Sequence, residues 1–211
     1  MQRSNLISIF AAHKIYFNLM NKKLFFLFIS IFTATTLLAQ KTQPVVFPKL
    51  PMDDKNEYIT YTAVMNIQGT TAPELYKRGK KWFFSYFKNP TEKIRTDDSL
   101  KYEIEGFIRI PLMAKDKKGV ETKVATIQYS LFLLFKDGRY KYTITKINEM
   151  ATSYQGIEQW NHELPQGKNS APADAEKHAQ WLTSVDQEIK KTIDAMITGM
   201  EDKGLPAKED W

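Results

Sequence analysis

Asp137-Gly138 sits between two alternating runs, and that juncture constrains the fold more than any other stretch of the chain. Residues 121–136 place Ile127, Tyr129, Leu131, Leu133 and Phe135 at every second position, the period of a half-buried strand. An Asp-Gly pair following such a run predicts a two-residue type I′ hairpin. A turn of that length sets the register, with Phe135 opposite Tyr140, Leu133 opposite Tyr142 and Leu131 opposite Ile144. All six fall on one face, and burying each is worth roughly 1.5–3 kcal/mol before entropy is counted. A slip of one residue would put all of them in water.

Three further strands are expected. Residues 57–67 alternate, with Ile59, Tyr61, Ala63, Met65 and Ile67 on one side and Thr60, Thr62 and Asn66 on the other. Residues 100–112 alternate again, with Tyr102, Ile104, Ile108 and Ile110 inward; Gly106 in their midst invites a bulge or bend. A short strand around Lys93 to Thr96 and a turn at Asp97-Asp98 precede them, and the charged linker Lys115 to Gly119 leads into the central hairpin.

Between the first two strands the period changes. Thr71 with Glu74 is a capping-box pattern, and Pro73 lies in the first turn, where its missing N–H costs nothing. Leu75, Gly79, Trp82, Phe83, Tyr86 and Phe87 then form one apolar helical face, and Asn89-Pro90 ends the helix. Lys77, Arg78, Lys80 and Lys81 fall on its other side and read as a solvated face.

After Met150 the pattern lapses into a loop over 151–172 that carries Tyr154, Trp160 and His162. A last helix is expected from Asp174 to Lys203, with His178, Trp181, Leu182, Val185, Ile189, Ile193, Met196, Ile197 and Met200 as its stripe and Gly204-Leu205-Pro206 as its stop. Residues 204–211 are then a tail. Strand, helix, several antiparallel strands and helix predict an α+β fold: a single curved antiparallel sheet with two helices on one face.

The strand Tyr58–Ile67, the helix ELYKRGKKWF and the hairpin LFKDGRYKYTIT at 134–145 together resemble a family of exported bacterial proteins of unknown function, common in Bacteroidetes, with a TATA-binding-protein-like (TBP-like) fold. The resemblance covers residues 57–150 and implies a β-α-β(n)-α sheet domain behind a signal peptide. It implies no activity, and the fold name describes sheet geometry rather than DNA binding.

Met20 to Gln40, MNKKLFFLFISIFTATTLLAQ, has a basic start, an apolar middle and a small-residue end with cleavage expected near Ala39. It reads as a signal peptide over 20–39, with 1–19 upstream of the true start and 40–56 an extended, proline-punctuated leader into a domain spanning 57–203. The expected destination is the periplasm or the medium, with no stable membrane anchor after cleavage. Residues 1–39 carry Arg3, Lys14, Lys22 and Lys23 and no acid, so their removal takes the formal charge from +6 to +2. So small a charge gives little attraction for nucleic acid. The absence of cysteine excludes a lipoprotein anchor, disulfides, thiol catalysis and cysteine zinc sites.

No nucleophile elbow, zinc-protease helix, phosphate loop or dinucleotide fingerprint occurs. Asp53-Asp54 and Asp97-Asp98 read as turn or cap chemistry, and no cofactor or metal is expected. His178 reads as an edge-of-core residue, which leaves His162 as the histidine to test. Phe132 and Leu134, with Phe107 beside them, point away from the helices, where an uncovered sheet face should be polar. Either the 151–172 loop covers them with Tyr154 and Trp160, or they meet a ligand or partner. The preferred reading is a non-catalytic exported domain that binds a protein partner or a small apolar ligand, or serves an envelope role, through Phe107, Phe132, Leu134, Tyr154, Trp160 and His162. The alternatives are a hydrolase using His162 with a carboxylate, and a homodimer through the open sheet face.

Overall fold

The structure, a computed structural model, describes residues 44–115 and 118–201. The expected signal peptide, the segment upstream of it, the Gly204-Leu205-Pro206 stop and the tail lie outside the described residues. Strands are β1 (Tyr61–Asn66), β2 (Ile94–Asp98), β3 (Glu103–Lys115), β4 (Glu121–Lys136), β5 (Arg139–Glu149) and β6 (Gln155–Gly156). Helices are α1 (Ala72–Tyr86), the short turn α2 (Pro90–Lys93) and α3 (Ala175–Glu201). The sheet is antiparallel in the order β1-β5-β4-β3-β2, and β6 pairs with the far end of β5. It is an α+β architecture with α1 and α3 on one face of the sheet.

The central hairpin keeps the expected register: Phe135 pairs with Tyr140, Leu133 with Tyr142 and Leu131 with Ile144. Its turn differs from the type I′ expectation. Only Gly138 takes a positive φ, +73°, whereas Asp137 does not, which is the sign pattern of a type II turn. The physical reason lies outside the hairpin. Asp137 Oδ1 accepts the Ala72 N–H at 2.7 Å, and the Gly138 N–H donates to Thr70 O at 2.8 Å. The turn is thus stapled to the start of α1 and satisfies one of its orphan donors.

Thr71 caps α1 by accepting the Glu74 N–H, and Leu75, Gly79, Trp82 and Phe83 are buried as expected. The helix ends at Tyr86, whose ring is exposed, and the chain re-enters a helical turn at Pro90 before β2. Asp97 and Asp98 end β2 rather than forming the turn themselves. Asp98 still does turn chemistry, accepting the Leu100 and Lys101 N–H groups at 2.9 and 3.0 Å. Gly106 is not bulged. The extra residue is Arg95 on the facing strand, between the Ile94–Gly106 and Thr96–Glu105 pairs. Gly106 is needed because a Cβ there would stand 2.7 Å from the Phe83 ring.

Further bulges fall at Val124 of β4 and around Lys146 of β5, where φ is +54°. Bulges increase local twist. In the core, α3 buries Leu182, Val185, Ile189, Ile193, Met196 and Met200 against the sheet, with His178, Trp181 and Ile197 half-buried at the edge of the stripe. Tyr61 on β1 donates to Asp186 of α3 at 2.8 Å. Arg78 of α1 donates to the Met200 carbonyl at 3.0 Å, closing the C-terminal turn of α3.

The leader is bound to the domain from Val45 on. Phe47 is buried and stacks on His162 at 5.3 Å, and the Thr60 N–H donates to Pro51 O at 2.9 Å. The 151–172 stretch is likewise not a plain loop. It contains β6 and 3₁₀ turns at Ile157–Trp160 and Pro165–Gly167, and a third, Pro172–Asp174, joins it to α3.

Candidate functional site

Pleating sends alternate side chains to the sheet face opposite the helices. On β4 these include Phe132 and Leu134, on β3 Glu103, Glu105, Phe107 and Arg109, on β5 Lys141 and Thr143, and on β1 Thr62 and Val64. Phe132 lies between Glu105 and Thr143, and Leu134 between Glu103 and Lys141. Leu134 is 40% exposed and Val64 55%. Both line a depression of about 250 Å³ with Lys136, Arg139, Tyr140 and Lys141. None of these three cations has a carboxylate partner among the described residues. The Phe107 ring lies under two guanidiniums, Arg95 at 5.2 Å and Arg109 at 5.5 Å. Threonine pairs complete the face: Thr60 with Thr145 at 2.8 Å and Thr62 with Thr143 at 3.0 Å.

The six residues singled out in the sequence do not form one cluster. Phe107, Phe132 and Leu134 share the helix-free face. Trp160 is buried on the other side, stacked on His178 of α3 at 5.9 Å and edge-on to Trp181 at 5.2 Å. His162 joins it there, with its Nε2 at 3.1 Å from His178 Nδ1. Tyr154 precedes β6 and is 54% exposed. Trp160 therefore leaves Phe132 and Leu134 uncovered, because Ile157–Trp160 follows β6 into the apolar core beside the start of α3.

The histidine pair has little of a hydrolytic arrangement. One imidazole must donate to the other, and the remaining ring nitrogens have no carboxylate or hydroxyl hydrogen-bond partner among the described residues. Asp174, the acid that acts on both rings, is held by Lys177 at 2.7 Å. Burial, followed by the Lys177 and His162 charges, lowers the His178 pKa below its ordinary value. No group of three or more His, Asp or Glu side chains arranged for a metal occurs among the described residues. The other sequence candidates take structural roles: Asp53 accepts the Lys55 N–H in a turn, and Lys80 pairs with Asp97. No described helix is long and apolar enough to cross a membrane.

Sequence reasoning missed Val64, Arg95, Arg109 and Lys141. Val64 did carry a signal, as an apolar residue in the row of Thr60, Thr62 and Asn66. Arg109 carried one as well, two positions from Phe107 on the same strand, whereas Arg95 carried none, because its approach to Phe107 depends on the β2 bulge.

No curated protein matches the chain. The crystal structure of a DUF4468 family protein from Bacteroides ovatus superimposes with a TM-score of 0.50 at 15% identity, over 69% of this chain and 90% of that one. A TBP-like protein from Parabacteroides distasonis gives a TM-score of 0.47 at 15% identity, over 69% of this chain and 96% of that one. At 15% identity the Bacteroides ovatus structure speaks to the fold alone. Residues 61–150 match the family described as a domain of unknown function (DUF4468) with TBP-like fold. That segment runs from β1 to the end of β5 and is the part of this chain that is similar to the DUF4468 family.

Proposed function

We propose that this protein is an exported, non-catalytic binding domain whose helix-free sheet face receives its partner. The observation that carries the reading is the pairing of exposed apolar side chains, Val64 and Leu134, with Lys136, Arg139 and Lys141 around one depression. An uncovered sheet face is ordinarily polar throughout, and contiguous exposed apolar surface marks a contact site. The export half of the reading rests on residues 20–39, whose basic start, apolar middle and small-residue end suit a secretory signal.

Two substitutions in the host test the binding half against hydrolysis. Leu134→Glu places a charge on the open face at an exposed position. His162→Ala removes the histidine on which a hydrolase would depend. The binding reading expects Leu134→Glu to reproduce the phenotype of a deletion strain and His162→Ala to leave the strain as wild type. The opposite pattern overturns it in favour of an enzyme.

A further inference from the structure

The two edges of the sheet are built differently. β2, at one edge, is interrupted by the Arg95 bulge, carries Arg95, Asp97 and Asp98, and is preceded by the Pro90 turn. These are the devices that keep an edge strand from pairing with other chains. β1, at the other edge, reads Tyr61-Thr62-Ala63-Val64-Met65-Asn66, without charge, proline, glycine or bulge, and pairs with β5 through six successive residues.

The free side of β1 presents polar backbone. The Ile67 N–H points inward, to Gly138 O at 2.8 Å, whereas the Thr60 N–H points outward, to Pro51 O at 2.9 Å. Alternation along the strand then turns the N–H and C=O groups of Thr62, Val64 and Asn66 out of the sheet. Pro51, Met52 and Asp53 cover the chain at Thr60, Ile59 and Tyr58, short of β1 itself. Beyond them none of those groups has a backbone partner among the described residues.

The flanking chemistry restricts what could pair there. Arg139 lies opposite Asn66, and Lys141 opposite Val64, one strand in from the edge. Lys136 lines the same depression two strands in, and none of the three is neutralised by a carboxylate among the described residues. Glu103, opposite Leu134, is the acid on the far side of the depression. A strand added to β1 would lay alternate side chains beside Thr62, Val64 and Asn66, within reach of the Arg139 and Lys141 stems. Carboxylates at those positions are matched, and ammonium groups are repelled.

We infer that the open edge of β1 is the receptor for an extended acidic segment of a partner protein, which adds as a seventh strand with its carboxylates over Arg139 and Lys141. Main-chain hydrogen bonds to Thr62, Val64 and Asn66 hold the segment, and the cations select it. The inference rests on the proposed binding role of this face and deepens it, since it replaces a small apolar ligand by an acidic strand. A second copy is a poor occupant because pairing β1 with its own symmetry mate brings two sets of Arg139 and Lys141 together.

The test titrates the full chain with a fluorescein-labelled peptide, Thr-Glu-Val-Glu-Val-Glu-Thr, alongside the same peptide with lysine for glutamate. A third peptide keeps the acidic sequence but is N-methylated at three consecutive central residues. The acidic peptide should bind at least tenfold more tightly than the other two. Val64→Pro, which removes an outward N–H and no ladder bond, should abolish its binding, and Arg139→Glu with Lys141→Glu should reverse the charge preference. Equal binding of acidic and basic peptides overturns the inference, as does no binding by either. Equal binding of the methylated peptide overturns edge pairing while leaving the face as a binding surface. Light scattering that reports a dimer, dissociated by Val64→Pro, assigns the edge to a second copy and also overturns it.

Discussion

The Ile59 N–H donates to Glu158 Oε1 at 2.7 Å, so a carboxyl only 4% exposed satisfies the backbone just before β1 from a turn far along the chain. Burial raises the Glu158 pKa above its ordinary value of 4.5, against the lowering effect of backbone hydrogen bonds from Ile59 and from Glu158 itself. A raised carboxyl means the folded state holds the proton more tightly, so stability is lost as pH rises from about 4.5 through the folded value. Glu158→Gln should flatten that decline in urea melts and match or exceed wild type at neutral pH. Glu158→Ala leaves the Ile59 donor buried and should cost about 1–3 kcal/mol.

The His162–His178 contact gives a second pH dependence, of opposite sign. His178 is held below its ordinary value of 6.5 by burial first, then by Lys177 and His162, with Asp174 opposing. Its contribution is fully present above about 6.5 and is lost as pH falls through the lowered value. His178→Phe keeps a ring against Trp160 and Trp181 but cannot be protonated. Thermal melts between pH 7 and 5 should show a steeper loss for wild type than for this variant.

Gly106 of β3 leaves room for the Phe83 ring of α1. Gly106→Ala should destabilise by about 1–3 kcal/mol through overpacking, because its Cβ would stand 2.7 Å from the ring. Phe83→Leu in the same chain should recover part of that loss. A double-mutant cycle reads the coupling, and strict additivity would contradict the contact.

Asp137 works on the helix as much as on the hairpin. Its Oδ1 accepts the Ala72 N–H at 2.7 Å, so Asp137→Ala should cost about 1 kcal/mol, as the loss of an N-terminal cap does. Asp137→Asn retains an acceptor and should cost less. Chemical denaturation of the three proteins orders them.

These contacts mark where sequence reading ends. The strand faces and the central register were legible because period two and the Asp137-Gly138 spacing are local. The turn type was not, since Asp137 answers to Ala72 on another element. The short turn Pro90–Lys93 and the two-residue β6 are too brief for any period to show. Which side Trp160 takes was hidden for the same reason: the chain between β5 and α3 has no repeat to orient it. Phe132 and Leu134 could be placed on the helix-free face from alternation alone. That Val64 joins Leu134 there, and that β1 forms an edge, required the strand order, which emerges only when β5 returns beside β1.

A photo-crosslinking residue at Leu134, compared with one at exposed Glu176 on α3, tests the central claim most directly in cells of the host. The account predicts a discrete adduct from position 134, suppressed by Lys141→Glu, and none from position 176. No adduct from 134, or equal adducts from both positions, would contradict the assignment of the helix-free face as the binding surface.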